Sequence, residues 1–241
     1  MVEKAHRVKR EIKSQTLASV LNDVGNTLQF MADAGCQGFE CDDSHRDMVC
    51  NWGGHGSDRP ESLDDIERDL KDCRRCGLSS KRTKIVFGAG CGQARLVFVG
   101  EGPGYEEDKQ GKPFVGAAGK LLNRILEAMH LSRDDVFICN IVKCRPPNNR
   151  NPEPQEISTC VPFLERQLRA IEPECICALG KFAAQTLLKV QAPISKLRGR
   201  FHMYHGIHVM PTYHPAYLLR NPGSKRDVWN DMQQIMQYLG L

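Results

Sequence analysis

The segment Leu96-Val97-Phe98-Val99-Gly100-Glu101-Gly102-Pro103-Gly104 decides the fold, because an apolar run passes directly into a glycine-rich loop. Four consecutive apolar residues are typical of a buried parallel strand. The loop continues through Gly111-Lys112-Pro113-Phe114-Val115-Gly116-Ala117-Ala118-Gly119, after which apolar residues recur at helical spacing from Leu121 to Met129. A strand, a glycine loop and a helix in this order predict a ligand site at the carboxyl end of the strand.

Strands and helices alternate on both sides of this unit. The pattern predicts strands near 95–101, 136–143 and 174–179, and helices over 118–130, 153–171 and 180–189. His205-Gly206 separates two further strand patterns as a hairpin turn does, and a helix over 225–239 closes the chain. We therefore predict an α/β protein with a doubly wound sheet.

The first sixty residues differ from the rest. Residues 1 to about 34 are basic and then amphipathic, which predicts one helix, whereas residues 35–60 are rich in Gly, Asp, His and Ser and predict a flexible linker. Ser62, with Asp65 three residues later, is a plausible N-cap for the first helix of the core. We predict an N-terminal segment of unknown role over 1–60 and one domain over 61–241.

The charge is unevenly distributed. The net charge is only +4, but residues 175 to 226 contain no Asp or Glu and carry eight Lys or Arg residues. Such a stretch predicts a positive face suited to phosphates, with an ordinary solvated surface as the alternative. No run approaches the roughly 18 apolar residues of a membrane helix, and no secretory signal is present, so we expect a cytoplasmic protein.

Four of the eleven cysteines have a spacing that favours metal ligation. Cys73 and Cys76 form a C-x2-C pair compatible with zinc, an iron-sulfur cluster or redox chemistry, while Cys144 and Cys160 bracket a proline- and asparagine-rich segment. The fifteen-residue spacing of the second pair fits neither a zinc-ribbon knuckle nor a thioredoxin motif, which favours a cluster.

The remaining cysteines have weaker claims. Three lie within predicted strands and are expected to be buried as small hydrophobic residues, and Cys91 is expected in a loop. A second metal site in the linker is an alternative without a defensible spacing; its candidate ligands are Cys36, Cys41, Cys50, His45 and His55.

The ordered set of motifs resembles the family 4 uracil-DNA glycosylases, the iron-sulfur branch of the uracil-DNA glycosylase superfamily. The resemblance covers about Leu63 to Leu239 and rests on these motifs: Cys73-x2-Cys76, Gly100-Glu101-Gly102-Pro103-Gly104, Gly111-x-Pro113-Phe114-Val115-Gly116, Asn140-x3-Cys144-Arg145-Pro146-Pro147, Cys160 and His214-Pro215-Ala216. It implies a three-layer α/β/α fold around a four-stranded parallel sheet. It also implies a monofunctional DNA repair enzyme that removes uracil from DNA, with a [4Fe-4S] cluster on Cys73, Cys76, Cys144 and Cys160.

The resemblance also implies roles in base recognition and catalysis. Phe114 would stack on a flipped-out uracil, and the Asn140 amide would donate to uracil O4 and accept from N3–H. His214 would donate to uracil O2 as negative charge develops there, and Glu101 would position or activate the attacking water. Glycine backbone at Gly102 and Gly104 would approach the substrate closely, with Glu107 beside them as a substrate-binding or water-positioning residue, a role that Asp108 could share.

A second group of residues would contact DNA. The segment after His214 resembles a loop that enters the duplex where the base has left, with an apolar wedge and cationic neighbours. The expected DNA-binding residues are Arg145, Arg150, Tyr217, Leu218, Arg220, Lys225 and Arg226, with Leu219 beside them. For the leucines, packing of a helix start on the core is the alternative.

Two other functions stay open from sequence alone. One is a non-catalytic iron-sulfur protein that binds nucleic acid, and the other is a glycosylase for a different deaminated base. We expect uracil-containing DNA as the partner of a monomeric protein, with residues 1–60 as a candidate contact for a replication or repair protein.

Overall fold

The computed structural model describes residues 61–241, together with Asn26 and Gln29, which are helical and exposed. The expected helix over residues 1 to 34, the linker and its cysteines lie outside the described residues. They and the domain boundary near residue 60 stay predictions.

One mixed sheet of six strands, in the order β1-β3-β2-β4-β6-β5, is the centre of the described chain. The strands are β1 (Ala89–Gly90), β2 (Leu96–Gly100), β3 (Phe137–Asn140), β4 (Cys175–Leu179), β5 (His202–Tyr204) and β6 (Ile207–Thr212). The four central strands are mutually parallel, and the edge strands β1 and β5 are antiparallel to their neighbours. The parallel core is therefore confirmed, and β5 is the strand expected before the His205-Gly206 turn, whereas the edge strand β1 was not predicted.

Eight α-helices connect and cover the strands in the described part of the chain. They are α1 (Leu63–Leu70), α2 (Tyr105–Gln110), α3 (Ala117–Ala128), α4 (Pro154–Ile171), α5 (Lys181–Leu188), α6 (Ile194–Leu197), α7 (Pro215–Arg220) and α8 (Lys225–Leu239). Short 3-10 helices lie at Gly77–Ser80, Pro147–Asn149 and Pro222–Ser224. None of the helices in residues 61–241 is long and apolar enough to cross a membrane.

The buried side chains form two cores, one on each face of the sheet. Along β2, Val97 and Val99 face the core covered by α1, α4 and α5, whereas Leu96 and Phe98 face the core covered by α3, α7 and α8. This alternation follows from the period-two geometry of a strand. The predicted three-layer α/β/α architecture is confirmed.

Local sequence signals fix several element ends as expected. Ser62 and Asp65 form a capping box, in which each side chain accepts the backbone N–H of the other residue. His205 and Gly206 both have positive φ, 47° and 85°, as the turn of a tight hairpin requires. The hairpin feeds β6, whose end delivers His214.

Candidate active site

Strands β2 and β3 end side by side, and the missing side chain of Gly100 gives the site its shape. Gly100 pairs with Asn140 in the sheet register. A Cβ at Gly100 would overlap the Asn140 amide oxygen and would lie 2.7 Å from Phe114 Cζ. Glycine is required at this position because the amide and the aromatic ring converge on its Cα.

Phe114 is held in a conformation that an aromatic residue rarely adopts. Its φ is 52°, in the left-handed region, and its side chain is only 5% exposed. Arg133 fixes the backbone by donating to the carbonyls of Pro113 (2.5 Å) and Phe114 (2.9 Å). Because the surrounding contacts determine the strained backbone, the ring has one position before any ligand arrives.

Glu107 ties the two halves of the glycine loop together. One carboxylate oxygen accepts the N–H groups of Val115 and Gly116, both at 2.8 Å, and the other accepts the Gly104 N–H at 3.1 Å. Both oxygens are thus engaged by backbone, which favours a role in shaping the loop. The expected substrate contact of Glu107 stays a prediction.

Asp108, the other acid considered beside the loop, is buried and points away from the rim. Its carboxylate accepts the N–H groups of Thr83 and Lys84 at 2.8 and 3.3 Å. This geometry favours a structural role for Asp108.

Among the residues that the structure describes, Asn140 is the one with a buried side-chain polar atom that lacks a hydrogen-bond partner. Its side chain is 1% exposed, and Oδ1 has no hydrogen-bond partner among the described residues. A buried carbonyl oxygen left unpaired costs about 1–3 kcal/mol. The atom is therefore a preformed acceptor beside the Phe114 ring.

His214 lies at the start of α7, with a defined tautomer. Its Nδ1 accepts the Ala216 N–H at 3.1 Å, so the ring proton of the neutral imidazole is on Nε2. Burial, helped by nearby Arg220, lowers the pKa of His214 to about 4. At neutral pH the residue is therefore an uncharged donor, and its ring centroid lies 5.6 Å from that of Phe114.

Glu101 follows β2 directly and is half-buried. Burial raises the pKa of its carboxyl to about 7. Within residues 61–241 no side chain or backbone group forms a hydrogen bond with this carboxylate, in contrast to Glu107. A carboxyl with this pKa and no internal partner can accept a proton near neutral pH.

The two loop glycines differ in what they can offer a ligand. The Gly104 N–H is occupied by Glu107, whereas the Gly102 N–H has no acceptor in the described part of the chain. A Cβ at Gly102 would lie 2.7 Å from a Val142 methyl group. Gly102 is thus the better candidate for backbone contact with a substrate.

A buried network that sequence reasoning missed supports the end of β6. Asp231 of α8 is fully buried and accepts hydrogen bonds from Thr212 (2.5 Å) and Arg198 (2.7 and 3.1 Å). The Arg198 guanidinium lies over the Tyr213 ring, which stacks on Tyr217 at 4.9 Å. Arg198 therefore belongs to this buried network and does not contribute to the positive face predicted for residues 175–226.

The expected DNA-binding residues separate into engaged and exposed groups. Arg150 forms a bidentate ion pair with Glu156, at 2.6 and 2.9 Å, which favours a role in bracing the loop before α4. Arg145 donates to Asn149 and lies over the exposed Tyr105 ring. The exposed cations around α7 and the start of α8 are Arg220, Lys225 and Arg226.

The two leucines of α7 have opposite environments. Leu218 is 1% exposed and packs in the core against α3 and α8, whereas Leu219 is 44% exposed and Tyr217 36%. A side chain packed in the core cannot enter a duplex from this position. Of the two leucines, only Leu219 is presented as the expected wedge.

The four candidate ligand cysteines line one small cavity between α1, the 3-10 helix at Gly77–Ser80, the end of β3 and α4. Two of the sulfurs already accept hydrogen bonds. Cys144 Sγ accepts from Arg82 at 3.4 Å, and Cys160 Sγ accepts from the Lys143 backbone at 3.3 Å. Burial raises the pKa of Cys144 to about 11, so the free thiol is protonated at neutral pH, and a bound metal would replace that proton.

The four cysteines supply thiol donors to this one cavity. In residues 61–241 no group of three or more Cys, His, Asp or Glu side chains is placed to hold one metal ion. Four thiols are a donor set that iron-sulfur clusters use, in which each iron takes one cysteine. Cys139, Cys175 and Cys177 are buried in strands as predicted.

Comparison with known proteins identifies the class. The model of the Uracil DNA glycosylase superfamily matches residues 87–233, which include the glycine loop, Asn140 and His214. A type-4 uracil-DNA glycosylase of Archaeoglobus fulgidus is 44% identical over 188 residues, 75% of this chain and 94% of the relative. A type-4 enzyme of Thermotoga maritima is 44% identical over 185 residues, 75% of this chain and 96% of the relative.

The similarity to another branch is weaker. A type-5 uracil-DNA glycosylase of Pyrobaculum aerophilum is 31% identical over 147 residues, 54% of this chain and 65% of the relative. The chain belongs to the uracil-DNA glycosylase superfamily and, within it, to the type-4 family. The predicted family is therefore confirmed.

Proposed function

We propose that this protein hydrolyses the N-glycosidic bond of deoxyuridine in DNA, releases uracil and leaves an abasic site, with a structural [4Fe-4S] cluster on its four clustered cysteines. Membership of the type-4 family supports the reaction. The unpaired Asn140 Oδ1 is the observation that supports uracil as the base, because the N3–H of uracil is a donor that this acceptor can bind. Cytosine has an acceptor at the same position and would leave the site's polar groups unpaired, at about 1–3 kcal/mol each.

Stacking and hydrogen bonding together define the base site. A flipped-out uracil stacks on Phe114, and its Watson-Crick edge faces Asn140. Gly100 permits this arrangement because a Cβ at this position would collide with both the ring and the amide. The site is formed before the substrate binds, which reduces the ordering cost of binding.

Two residues act on the reacting bond. As the bond between N1 and C1′ breaks, its electron pair passes to uracil, and His214 donates from Nε2–H to O2, where the charge accumulates. Water attacks C1′ and gives a proton to the Glu101 carboxylate, whose raised pKa suits a general base near neutral pH. The uracil anion then takes up a proton from solvent and leaves, and Glu101 returns its proton to solvent.

The cluster has a structural role in this proposal. Cys73, Cys76, Cys144 and Cys160 would hold it, and when bound it supplies a cross-link between the segment after α1, the end of β3 and helix α4. Three observations support the fit: the shared cavity, the all-thiol donor set, and the N–H groups directed at two of the sulfurs.

The proposed enzyme is a hydrolase without lyase activity. A lyase needs an amine that reaches the sugar, and Lys143, the lysine nearest Asn140 in sequence, is fully buried and directs Nζ at the Asn140 carbonyl. It is therefore not available for a Schiff base.

The test is incubation of the purified protein with single- and double-stranded oligonucleotides that contain one uracil. We expect free uracil and an alkali-labile abasic site in equal amounts from wild type, and loss of both in Asn140→Ala. Release of hypoxanthine or xanthine but not uracil would show that the substrate is a different deaminated base. DNA binding without any base release, at every salt concentration tried, would show that the protein is a non-catalytic DNA-binding protein.

A further inference from the structure

Lys143 is a lysine with no exposed surface, between the base site and the cysteine cavity. Its Nζ donates to the Asn140 carbonyl at 2.9 Å and to Gln167 Oε1 at 2.5 Å. Gln167 is also fully buried, and its Nε2 donates to the Phe87 carbonyl at 3.0 Å. Among the described residues no carboxylate forms an ion pair with Lys143 Nζ.

The same residue contacts the cysteine cavity. Its backbone N–H donates to Cys160 Sγ at 3.3 Å, it directly precedes Cys144, and it is one of the residues that line the cavity. Lys143 is thus bonded to a candidate cluster ligand at one end and to the backbone of the base-recognising Asn140 at the other.

The fully buried Lys143 amine donates to two oxygens, and this geometry holds whether or not the amine carries a charge. A cluster bound at the four cysteines would fix Cys160 and, through the backbone N–H of Lys143, the residue that carries this donor. The lysine would then be held in place by the occupied cavity, and its donor would hold the strand end that carries Asn140.

We infer that Lys143 is a positioning residue that couples the four-cysteine site to the orientation of Asn140. The inference rests on the proposed function. It implies that uracil bound at Asn140 and metal bound at the cysteines stabilise each other, since coupling between two sites is reciprocal.

The experiment measures iron loss from the intact enzyme to a chelator, with and without saturating free uracil. In wild type we expect uracil to slow iron loss by about fivefold, at the low end of typical coupling between sites. In Lys143→Met, which keeps the length of the side chain and removes the donor, we expect no protection at saturating uracil. We also expect the constant for inhibition by free uracil to rise by about tenfold, while affinity for abasic DNA is unchanged.

Ile235→Ala is the matched control, because it removes buried volume in α8, a helix that contributes no residue to the cysteine cavity or to the proposed base site. It should lower the unfolding temperature and keep the protection by uracil. If Lys143→Met does not fold, Gln167→Met is the second test. It removes one hydrogen-bond partner of Lys143 Nζ and should also reduce the protection of iron by uracil.

The outcomes separate this inference from the proposed function. Wild type that releases no uracil from DNA refutes the proposed function. Active wild type that shows no protection by uracil overturns the role of Lys143 alone. Active wild type that contains no iron overturns that role and the proposed cluster, and leaves the proposed reaction standing. Equal protection in wild type and Lys143→Met overturns the role of Lys143 as well.

Discussion

The rings of Phe114 and His214 lie 5.6 Å apart and are tilted by 30°. A planar base between two rings needs roughly 7 Å, twice the 3.4 Å spacing of stacked bases. We therefore expect uracil to stack on Phe114 and to meet His214 at its edge, where O2 can accept a hydrogen bond. The two residues come from loops after β2 and β6, which are separated in the sheet by β4.

Replacement of Phe114 with Ala should weaken uracil binding. Base stacking on an aromatic ring contributes about 1–3 kcal/mol, so the constant for inhibition by free uracil should rise by about tenfold to a hundredfold. Phe114→Tyr keeps the ring face and should stay within about threefold of wild type. Equal affinities of the Ala and Tyr variants for uracil would refute stacking on this residue.

Replacement of Asn140 with Asp should shift base preference from uracil toward cytosine. A carboxylate accepts from the cytosine amino group and repels uracil O4. We expect kcat/KM for uracil to fall by about a hundredfold or more and cytosine release to become measurable. Asn140→Ala, which should lose uracil activity without gaining cytosine activity, is the control. An Asp variant that still prefers uracil would contradict the assigned recognition.

The pH dependence should report Glu101. A general base acts when deprotonated, so with a pKa of about 7 the rate should rise by about tenfold per pH unit below that value and level off above it. His214, whose pKa is lowered to about 4, stays neutral throughout this range. Glu101→Gln should lower kcat by about 10²–10⁴-fold and remove the pH dependence, measured by single-turnover kinetics. An unchanged profile in this variant would exclude Glu101 as the base.

Sequence patterns predicted most of the fold because the central elements carry strong periodic signals. Strand β2 and helix α3 are examples, since each has a run of apolar residues at its own period. Strand β1 was missed because its two residues, Ala89 and Gly90, are too few for any periodicity. Its pairing with β3 depends on tertiary structure alone.

The residues that support the site could not be predicted. Arg133, Lys143 and Asp231 act through partners far away in sequence or through backbone atoms, and by type each resembles an ordinary surface charge. Leu218 and Leu219 show the same limit, because two adjacent leucines on a short helix give no signal of which one faces the core.

Removal of a cluster ligand should release iron, whereas removal of another thiol should not. Cys144→Ser is expected to lose visible absorption at about 400 nm and most of its iron. Its unfolding temperature should fall, because the cross-link is lost. Cys91→Ser is the matched control, since Cys91 is a half-buried cysteine in a loop outside the cavity. The iron content of each variant, measured with a chromogenic chelator, tests this expectation. Retention of full iron in Cys144→Ser would rule out this ligand set.

Substitutions of the two leucines of α7 should have different effects, one on stability and the other on activity with duplex DNA. Leu218→Ala empties a core position and should cost about 2–5 kcal/mol of unfolding free energy, measured by denaturant titration. Leu219→Ala changes an exposed residue and should alter stability by less than about 0.5 kcal/mol. Its effect should fall on catalysis with duplex substrates, because a wedge fills the gap left by the flipped base only where a stacked helix surrounds that gap. We therefore expect the ratio of kcat/KM on double-stranded to single-stranded uracil DNA to fall by about tenfold in Leu219→Ala. An equal loss on both substrates would assign Leu219 to general DNA binding, and no loss on either would refute the wedge.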